Sequence, residues 1–440
     1  MADFDLVIIG GGPAGLTAGL YAARANMNVI LFEAKDIGGE LLNTDLIEDW
    51  PGEESITGRA LAEKMGAHAV KFGLKIQPYS PVKKVRSEGD KKLIEMEDGA
   101  THTAYAVIVT VGGEPVKLGV PGEGELHGRG VSYCAVCDGA FFKGEDLAVI
   151  GGGDSAFQEG LFLTRFAKKL YLVHRRNGFR AQKILQDRLL GMEQVQVITP
   201  AAVKEIGGDG QVKWIDVERD GKVERIDVGG VFVFVGFKPV GRHLFEEHID
   251  HDENDYLLTD QYMRTNIPGV YASGDTRAQL AKQVTTAVGD ATTAVLHAER
   301  YIEELKHARR TFPDAKSEVL EREVERMRMR RYLAGETIIR EGDPAESIFI
   351  LTRGAASVRQ RTGDGDREIS TLGPGDFFGE IGLMTGAARN ATVRTTTPSE
   401  ALELDADGFR ELIGSSQATA EHVQALMEER LANAREQART

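Results

Sequence analysis

The sequence predicts an α/β protein built from two Rossmann-like units, followed by a small all-β unit near its carboxyl end. An apolar, strand-like run enters a glycine-rich turn at Gly10–Gly15 and again at Gly151–Ala156, and a helical stretch follows each turn. From Glu336 to Asp405, short strands alternate with glycine turns, which is typical of a β-roll or barrel. These three observations define the fold class.

Length, composition and net charge limit the classes to which this protein can belong. The chain has 440 residues, 42% of them hydrophobic and 28% charged, as expected of an ordinary globular protein with several domains. Its formal net charge of −15 argues against a general nucleic-acid binder, because phosphate neutralisation requires an excess of lysine and arginine. No signal peptide is visible and no apolar run is long enough to span a membrane. We therefore expect neither a nucleic-acid nor a membrane partner.

The only two cysteines, Cys134 and Cys137, are separated by two residues. Thiols at this spacing can lie at the start of a helix, close enough to form a disulfide, and the helix N-terminus stabilises one thiolate. Asp138 follows directly and could carry a proton to or from the departing thiolate. The alternatives are two buried small hydrophobes or half a zinc site, although only His127 lies near enough to add a ligand. The pair predicts a dithiol–disulfide switch with no metal.

No cysteine remains for a structural disulfide, and this absence predicts a cytoplasmic protein.

The first glycine turn predicts a dinucleotide site. Leu6–Ile9 is wholly apolar, as expected of a parallel strand that is covered on both faces. Gly10, Gly12 and Gly15 then let the backbone approach a pyrophosphate at a helix N-terminus, while Glu33 ends the next strand and can accept from a ribose hydroxyl. A plain structural turn is the alternative, but the strand, helix and acid around the glycines argue against it.

The second glycine turn differs from the first at the end of the strand that follows it. There the acid is replaced by His174, Arg175 and Arg176, with Arg180 soon after. Guanidinium groups favour a 2′-phosphate, so the second unit is predicted to bind NADPH and the first to bind FAD. A solvated basic face is the alternative interpretation of these arginines.

A later segment could complete the flavin site. Gly269–Asp275 is predicted to be a strand that ends in an acid suited to a ribityl chain, and the helical stretch from Gln283 can aim its N-terminus at the flavin. A strand-end aspartate is otherwise commonly a helix cap. Gly38–Leu41 could be a loop over the same ligand or a plain turn.

With these motifs in place, residues 1 to about 306 resemble the low-molecular-weight thioredoxin reductase family. The matching elements are Gly10–Gly15, Trp50–Gly52, Cys134–Asp138, Gly151–Ala156, His174–Arg176, Phe179–Arg180 and Gly274–Asp275. The resemblance implies a homodimer in which an NADPH domain is inserted into an FAD domain. It also implies that Cys137 faces the flavin, that Cys134 attacks the disulfide of a partner, and that Asp138 acts as acid and base.

The same resemblance implies that one domain rotates against the other, with Pro115–Gly119 and Lys238–Gly241 as hinge candidates. The predicted FAD domain comprises residues 1–115 and 245–306, and the predicted NADPH domain, with the redox pair, comprises 116–244. The predicted FAD site consists of Gly10, Gly12, Pro13, Ala14, Gly15, Glu33, Gly39, Glu40, Leu41, Asn43, Asp275, Lys282, Gln283 and Val284. The predicted NADPH site consists of Gly151, Gly153, Asp154, Ser155, Ala156, His174, Arg175, Arg176 and Arg180.

The remainder of the chain predicts a separate domain at 319–440 after a linker at 307–318. Val319–Met329 is predicted to form a charged helix that docks by a narrow apolar stripe. The β-roll follows, and an amphipathic helical stretch around Val423–Leu431 comes last. The chain ends at Thr440 without room for a helix-turn-helix, which argues against a transcription factor.

Within the roll, Phe378–Met384 and Arg389–Thr392 resemble the phosphate-binding cassette of cyclic-nucleotide-binding domains. Glu380 could accept from a ribose 2′-hydroxyl, and Arg389 could neutralise a cyclic phosphate. Asn390 stands where the family more usually has a small residue or a hydroxyl, so the choice between cAMP and cGMP stays open. The alternative is a degenerate roll that serves only oligomerisation. The predicted site consists of Gly379, Glu380, Ile381, Arg389, Asn390 and Ala391.

Together these features predict an NADPH-dependent, FAD-containing thioredoxin-disulfide reductase with a fused cyclic-nucleotide sensor. One alternative is a reductase of another protein disulfide, in a glutaredoxin-like or peroxiredoxin partner. A second alternative is a cyclic-nucleotide signalling module whose reductase half no longer turns over.

Overall fold

The computed structural model describes residues 2–44, 46–362 and 365–437. The predicted domain limits at residues 1 and 440 lie outside these ranges. Among the described residues, no helix is both long enough and apolar enough to cross a membrane.

The first part of the chain forms a mixed sheet with helices packed against it. Its elements are β1 (Phe4–Ile9), α1 (Pro13–Arg24), β2 (Val29–Phe32), β3 (Leu46–Ile47), β4 (Ile56–Thr57), α2 (Gly58–Lys71), β5 (Lys75–Gln77), β6 (Val82–Glu88), β7 (Lys91–Met96), β8 (Thr101–Val109) and β9 (Gly113–Pro115). The strand order is β5-β2-β1-β8-β7-β6; pairing is parallel from β5 to β8 and antiparallel in the β6–β7–β8 meander. Leu6, Ile8 and Leu31 are fully buried, as expected of strands that are covered on both faces.

The second part contains a parallel sheet and a small antiparallel one. Its elements are β10 (Val131–Ser132), α3 (Ala135–Asp138), β11 (Asp146–Gly151), α4 (Asp154–Leu163), β12 (Lys169–Val173), α5 (Lys183–Leu190), β13 (Val195–Ile198), β14 (Ala202–Gly208), β15 (Val212–Arg219), β16 (Lys222–Asp227), β17 (Gly230–Phe234) and β18 (Phe237–Pro239). The parallel sheet has the order β10-β17-β11-β12-β13, and β14, β15 and β16 form the antiparallel sheet.

The chain enters and leaves this second unit through paired strands. β9 and β18 form a two-stranded antiparallel ladder in which Phe237 lies opposite Pro115 and Pro239 lies opposite Gly113. Both hinge candidates therefore adjoin this ladder. After it, β19 (Val270–Ala272) pairs in parallel with β8 and so returns the chain to the first sheet.

Helix α6 (Val284–Thr311) is the longest helix and packs against α1. It runs through the first five residues of the predicted 307–318 linker, and α7 (Ser317–Arg326) begins after a short loop. The Arg309 guanidinium spans this loop, because it pairs with Asp90 (2.9 Å) and donates to the Ala315 carbonyl oxygen (2.7 Å) and to the Ser317 hydroxyl (2.8 Å).

The last part is a β-roll flanked by helices. It comprises β20 (Arg328–Tyr332), β21 (Thr337–Ile339), β22 (Ser347–Arg353), β23 (Ala356–Thr362), β24 (Gly365–Leu372), β25 (Phe377–Phe378), α8 (Glu380–Thr385), β26 (Thr392–Thr395), β27 (Ser399–Asp405), α9 (Ala406–Gly414) and α10 (Gln417–Gln437). Two four-stranded sheets, β20-β27-β22-β25 and β21-β26-β23-β24, enclose its core. The predicted fold class, two Rossmann-like units with a carboxyl-terminal roll, is confirmed.

One element differs from the sequence prediction. The charged helix predicted for Val319–Met329 ends at Arg326, and the chain then enters β20. This strand pairs antiparallel with β27, and Arg330 forms an ion pair with Glu403 across the two strands (2.7 Å). The pairing partner lies about seventy residues further along the chain, so local helical spacing does not reveal it.

The core of the first sheet continues into the roll. Leu6 of β1, Leu305 of α6, Phe312 and Phe409 belong to one contiguous buried cluster. The Phe312 ring, directly after α6, lies 5.6 Å from the Phe377 ring and 6.4 Å from the Phe409 ring, measured between centroids. The end of α6 is thus part of the hydrophobic core of the roll.

Candidate functional site

The two cysteines form a disulfide at the start of a short helix. Cys134 precedes α3 and is bonded to Cys137 within it. The Cys137 backbone amide donates to the Cys134 sulfur (3.1 Å), and the Ser132 hydroxyl accepts from the Cys134 amide (3.0 Å). An amide aimed at the Cys134 sulfur would stabilise negative charge there after reduction. Asp138, the proposed proton carrier, is the last residue of α3.

The structure brings this disulfide to a loop of the predicted flavin site. The side-chain oxygen of Asn43 lies 3.4 Å from the Cys134 sulfur and 3.8 Å from the Cys137 sulfur. Asn43 ends a 3₁₀ turn, Gly39–Asn43, in which Leu41 is buried. The redox pair, which belongs to the second unit, therefore lies against Asn43, a predicted flavin residue of the first unit.

The first glycine turn has the backbone geometry that close approach to a pyrophosphate requires. Gly10 has φ +108°, a conformation that side chains rarely adopt, and a Cβ on Gly15 would lie 1.8 Å from the Gly10 oxygen. The Glu33 carboxylate accepts from the backbone amide of Gly11 (2.6 Å), which places the predicted ribose acceptor beside the turn. The other predicted residues here, Pro13 and Ala14, lie in the first turn of α1 together with Gly15.

The acid-bearing segment after β19 provides polar groups that suit a polar ligand. Within the described part of the chain, the buried hydroxyls of Ser273 and Thr276 have no hydrogen-bond partner. Burial raises the pKa of Asp275 above its usual value, and burial lowers the pKa of Lys282, whose ammonium donates to the Asp275 carbonyl oxygen (3.0 Å). Gln283 caps α6, which starts at Val284. Orphaned hydroxyls beside a glycine turn fit a bound flavin dinucleotide.

The predicted NADPH residues gather around the second glycine turn. Gly153 precedes α4, and the first turn of that helix contains Asp154, Ser155 and Ala156. The His174 ring packs so closely on this turn that a Cβ on Gly152 would lie 2.5 Å from it. Burial lowers the pKa of His174, so the ring tends to stay neutral.

Three arginines stand around the end of β12 near this turn. Arg175, Arg176 and Arg180 are all exposed, and the Arg180 backbone amide donates to the Gly152 oxygen (2.8 Å). Exposed guanidinium groups near a glycine turn are suited to a 2′-phosphate.

In the roll, both charged residues of the predicted cyclic-nucleotide site, Glu380 and Arg389, make contacts within the chain. The Arg389 guanidinium is buried and donates to the carbonyl oxygens of Gly379 and Ser347, each at 2.8 Å. Gly379 has φ +93°, and a Cβ there would lie 2.7 Å from the Arg389 side chain. Burial lowers the pKa of Arg389 from its usual value, and Glu380 opposes this shift.

The Glu380 carboxylate is held by a residue that sequence reasoning missed. Arg430 of α10 donates to Glu380 (2.8 Å) and to the Phe377 carbonyl oxygen (2.7 Å). The rest of the predicted set lies close by in the chain: Ile381 in α8, Asn390, whose backbone oxygen accepts from Gln360 (3.0 Å), and buried Ala391. No sequence signal marks Arg430, because it is one of several charged residues on α10.

Another exposed residue near the redox pair is Phe141, four positions after Cys137, which is 82% exposed. It lines a cavity of about 790 Å³ together with Asp138, Arg129 and Lys168. An exposed aromatic ring beside a redox pair is a feature of protein-docking surfaces.

Comparison with known proteins places this geometry in a family. Residues 4–291 match the model of the pyridine nucleotide-disulphide oxidoreductases, and residues 329–416 match the cyclic nucleotide-binding domain. A thioredoxin reductase of Listeria innocua is 46% identical over 309 residues, covering 69% of this chain and 96% of that protein. The Bacillus subtilis thioredoxin reductase is 43% identical over 312 residues, covering 70% and 98%.

Solved structures agree with the sequence comparison. The Lactococcus lactis thioredoxin reductase in its FR conformation has a TM-score of 0.67 at 41% identity, covering 69% of this chain and 100% of that one. The T. acidophilum thioredoxin reductase has a TM-score of 0.65 at 33% identity, covering 68% of this chain and 98% of that one. This family implies FAD and NADPH as cofactors. The chain therefore belongs to the thioredoxin reductase family of pyridine nucleotide-disulphide oxidoreductases, and a cyclic nucleotide-binding domain follows its reductase part.

Proposed function

We propose that this chain reduces thioredoxin with electrons from NADPH, and that a cyclic nucleotide bound in the roll regulates the reaction. The observation that carries the first part is the Cys134–Cys137 disulfide lying against Asn43 of the predicted flavin loop. Bound FAD would supply a two-electron carrier between the nicotinamide and this disulfide. The homodimer implied by the family resemblance belongs to the proposal, and sedimentation of the purified chain tests it.

The two cysteines have different roles in the proposed cycle. After reduction, the Cys134 thiolate attacks one sulfur of the partner disulfide, forms a mixed disulfide and releases the other partner sulfur as a thiol. Cys137 then attacks the Cys134 sulfur, which restores the internal disulfide and frees the reduced partner. The amide of Cys137 favours the thiolate at Cys134, and Asp138 would carry the proton.

A domain rotation would give Cys134 access to its partner. Its side chain is half-buried and faces Asn43, so a protein substrate cannot approach it from that side. The β9–β18 ladder joins the two units, and its ends adjoin the predicted hinges. Turning the second unit about this ladder would carry the disulfide away from the flavin loop and toward solvent. Exposed Phe141 travels with it and supports a protein partner rather than a small molecule.

Steady-state oxidation of NADPH tests the substrate. We expect saturable turnover with thioredoxin and only background turnover with a glutaredoxin or a peroxiredoxin, because the family resemblance points to thioredoxin. The reaction without any protein disulfide is the control for oxidase activity. Turnover with glutaredoxin or peroxiredoxin alone would assign the chain to the alternative partner class.

Regulation by a cyclic nucleotide would begin with ligand binding at Glu380 and Arg389. A cyclic nucleotide that offers its ribose hydroxyl to Glu380 must share that carboxylate with Arg430, or displace it. Arg430 also donates to the Phe377 carbonyl oxygen and stacks on the Phe377 ring at 5.1 Å. A movement of Arg430 would therefore displace Phe377. The contact thus couples ligand binding to the position of α10.

A packed route leads from this contact toward the flavin site. Phe377 packs on Phe312, which directly follows α6, and α6 begins beside the predicted flavin residue Gln283. At about 1.5 Å per residue, its 28 residues span about 42 Å as one rigid element. A shift at Phe377 could therefore change how α6 sits against the flavin unit, which is the physical basis we propose for regulation.

Titration of turnover with cAMP and with cGMP tests this proposal. We expect one of them to change turnover by a coupling of about 1–3 kcal/mol and to raise the melting temperature of the protein. Glu380→Ala and Arg389→Leu should abolish both effects, whereas Arg353→Ala, which removes an exposed arginine of β22, should leave them intact. If neither nucleotide alters turnover or melting, the roll is not a sensor for these ligands.

A further inference from the structure

Asn43 is the residue through which the first unit touches both sulfurs of the redox pair. One oxygen atom lies 3.4 Å from the Cys134 sulfur and 3.8 Å from the Cys137 sulfur. Both distances are within the range of hydrogen bonds that involve sulfur. The sulfurs belong to the second unit and Asn43 to the first, so this contact depends on the relative placement of the two units.

The chemistry around Asn43 determines which end of its amide faces the sulfurs. The side-chain nitrogen of Asn43 donates to the Glu40 carboxylate (3.1 Å). Burial raises the pKa of Glu40, and the hydrogen bond from Asn43 opposes this shift because it favours the ionised carboxylate, which only accepts. This bond assigns the NH₂ end of Asn43 to Glu40. The oxygen end is then left for Cys134 and Cys137.

Hydrogen bonds and packing also fix the backbone around the Asn43 side chain. The Thr44 hydroxyl donates to the Glu40 carbonyl oxygen (3.0 Å), and the Gly58 amide donates to the Thr44 oxygen (3.2 Å). Leu41, in the middle of the turn, is buried against Ile47 and Leu61. The acceptor oxygen therefore lies on a turn that is tied down at both ends and in its centre.

We propose that Asn43 is a positioning residue for the redox step, which stabilises the reduced pair by accepting hydrogen bonds from the cysteine thiols. Reduction breaks the bond between the two sulfurs, takes up two electrons and two protons, and leaves one S–H group on each cysteine. The Cys134 thiol loses its proton only after the second unit has turned away from Asn43, where the Cys137 amide favours the thiolate. The electrons are those that NADPH supplies in the reductase reaction. A disulfide has no hydrogen to donate, so the fixed oxygen of Asn43 favours the dithiol.

The effect of Asn43 on the catalytic cycle rests on the proposed domain rotation. The stabilising contact exists only while the cysteines lie against the flavin loop. When the second unit turns away, the dithiol loses the acceptor and becomes a stronger reductant toward the partner. Asn43 would thus favour electron transfer into the pair at the flavin and would not hinder electron transfer out of it.

The equilibrium constant between the cysteine pair and a dithiothreitol buffer tests the proposal directly. The flavin-loaded enzyme is equilibrated at several ratios of reduced to oxidised dithiothreitol, the free thiols are alkylated, and the reduced fraction is measured by mass spectrometry. Dithiothreitol reacts with the cysteines themselves, so this measurement does not depend on turnover. Flavin occupancy is followed in parallel by visible absorbance.

Two variants, one without an acceptor at position 43 and one with it, are expected to give different equilibrium constants. Asn43→Ala removes the acceptor and should shift the constant toward the disulfide about fivefold, which is about 20 mV at 29.6 mV per tenfold change for a two-electron couple. Asn43→Asp combined with Glu40→Gln exchanges donor and acceptor in the bond between these two residues and keeps an acceptor oxygen at position 43, so its constant should equal that of the parent or shift toward the dithiol. Asn254→Ala, at an exposed asparagine far along the chain, is the matched control and should equal the parent.

Three results would overturn the proposal. The first is an Asn43→Ala constant that equals that of the parent protein. The second is an equal shift toward the disulfide in Asn43→Ala and in the Asn43→Asp, Glu40→Gln double variant, which would show that the Asn43 side chain matters for its shape and not for its acceptor oxygen. The third is a change confined to flavin occupancy, which would assign Asn43 to flavin binding alone. Turnover on thioredoxin, measured separately, tests the proposed function and is independent of these outcomes.

Discussion

Cys137→Ser is expected to reduce turnover on thioredoxin by at least about a thousandfold, to the background level. The substitution removes one of two sulfurs that must both be present for the internal disulfide to form. Reduction of the bound flavin by NADPH does not require either sulfur, so rapid bleaching of the yellow colour should persist. Stopped-flow absorbance measures the bleaching, and NADPH oxidation with thioredoxin measures the turnover.

The same variant also distinguishes the roles of the two cysteines. With Cys137 gone, Cys134 can still attack the partner disulfide, but no second thiol can resolve the product. A stable mixed disulfide with thioredoxin should therefore accumulate and appear on a non-reducing gel. Cys134→Ser is the matched variant, and it should lose turnover without forming this adduct. An adduct formed by Cys134→Ser and not by Cys137→Ser would reverse the two assignments.

Lys92→Met is expected to be the most destabilising substitution outside the redox centre. The Lys92 ammonium lies 2.7 Å from the Glu321 carboxylate, and the two side chains are only 1% and 5% exposed. The pair joins β7 of the first unit to α7, and Glu321 also accepts from the Tyr301 hydroxyl of α6 (3.2 Å). Removing the lysine leaves a buried carboxylate without its cation, at a cost of about 3–5 kcal/mol.

A double substitution separates the effect of the unpaired charge from that of lost packing. Lys92→Met combined with Glu321→Leu removes both charges and should recover most of the stability lost in Lys92→Met, because no buried carboxylate remains. Lys83→Met is the matched control, since Lys83 pairs with Glu95 (2.6 Å) on the neighbouring strand but the two side chains are 49% and 33% exposed. We expect its melting temperature to equal that of the parent.

Urea titration and thermal melting of the four proteins rank these effects. The expected order of stability places Lys92→Met lowest, the double variant well above it, and Lys83→Met level with the parent. If Lys92→Met has the melting temperature of the parent, the buried pair contributes nothing to the attachment of α7, and other contacts, including the apolar cluster around Phe312, hold the roll to the reductase part.

Much of the candidate site can be predicted from sequence, because its signals are local. The glycine turns, the acid at Glu33 and the arginines after β12 each lie within about thirty residues of the turn they serve. A glycine is required at Gly10 because side chains rarely adopt its backbone angle and because neighbouring backbone atoms leave no room for a Cβ. The spacing of the two cysteines is equally local. Covalent geometry and strand–turn–helix periodicity suffice to predict these features.

The boundary of the helix before the roll shows where local reasoning fails. Leu320, Val324 and Met327 lie at helical spacing, yet the helix stops at Arg326 because β27 offers a pairing partner to Arg328–Tyr332. Met327 is buried in the structure, as its apolar position predicts, but not as part of a helix. Tertiary pairing overrides helical propensity when the partner strand is well supplied with opposite charges.

The sequence by itself determined the strand–turn–helix units, the redox spacing and the family, since these depend on residues that are close along the chain. Only the tertiary structure decided which distant groups meet: Arg430 with Glu380 across 50 residues, Asn43 with Cys134 across 91, and Lys92 with Glu321 across 229. Arg430, Lys92 and Glu321 lie outside every motif in the sequence. Their importance arises from the packing of separate elements, which places a charge or an acceptor in a site where solvent cannot fully replace it.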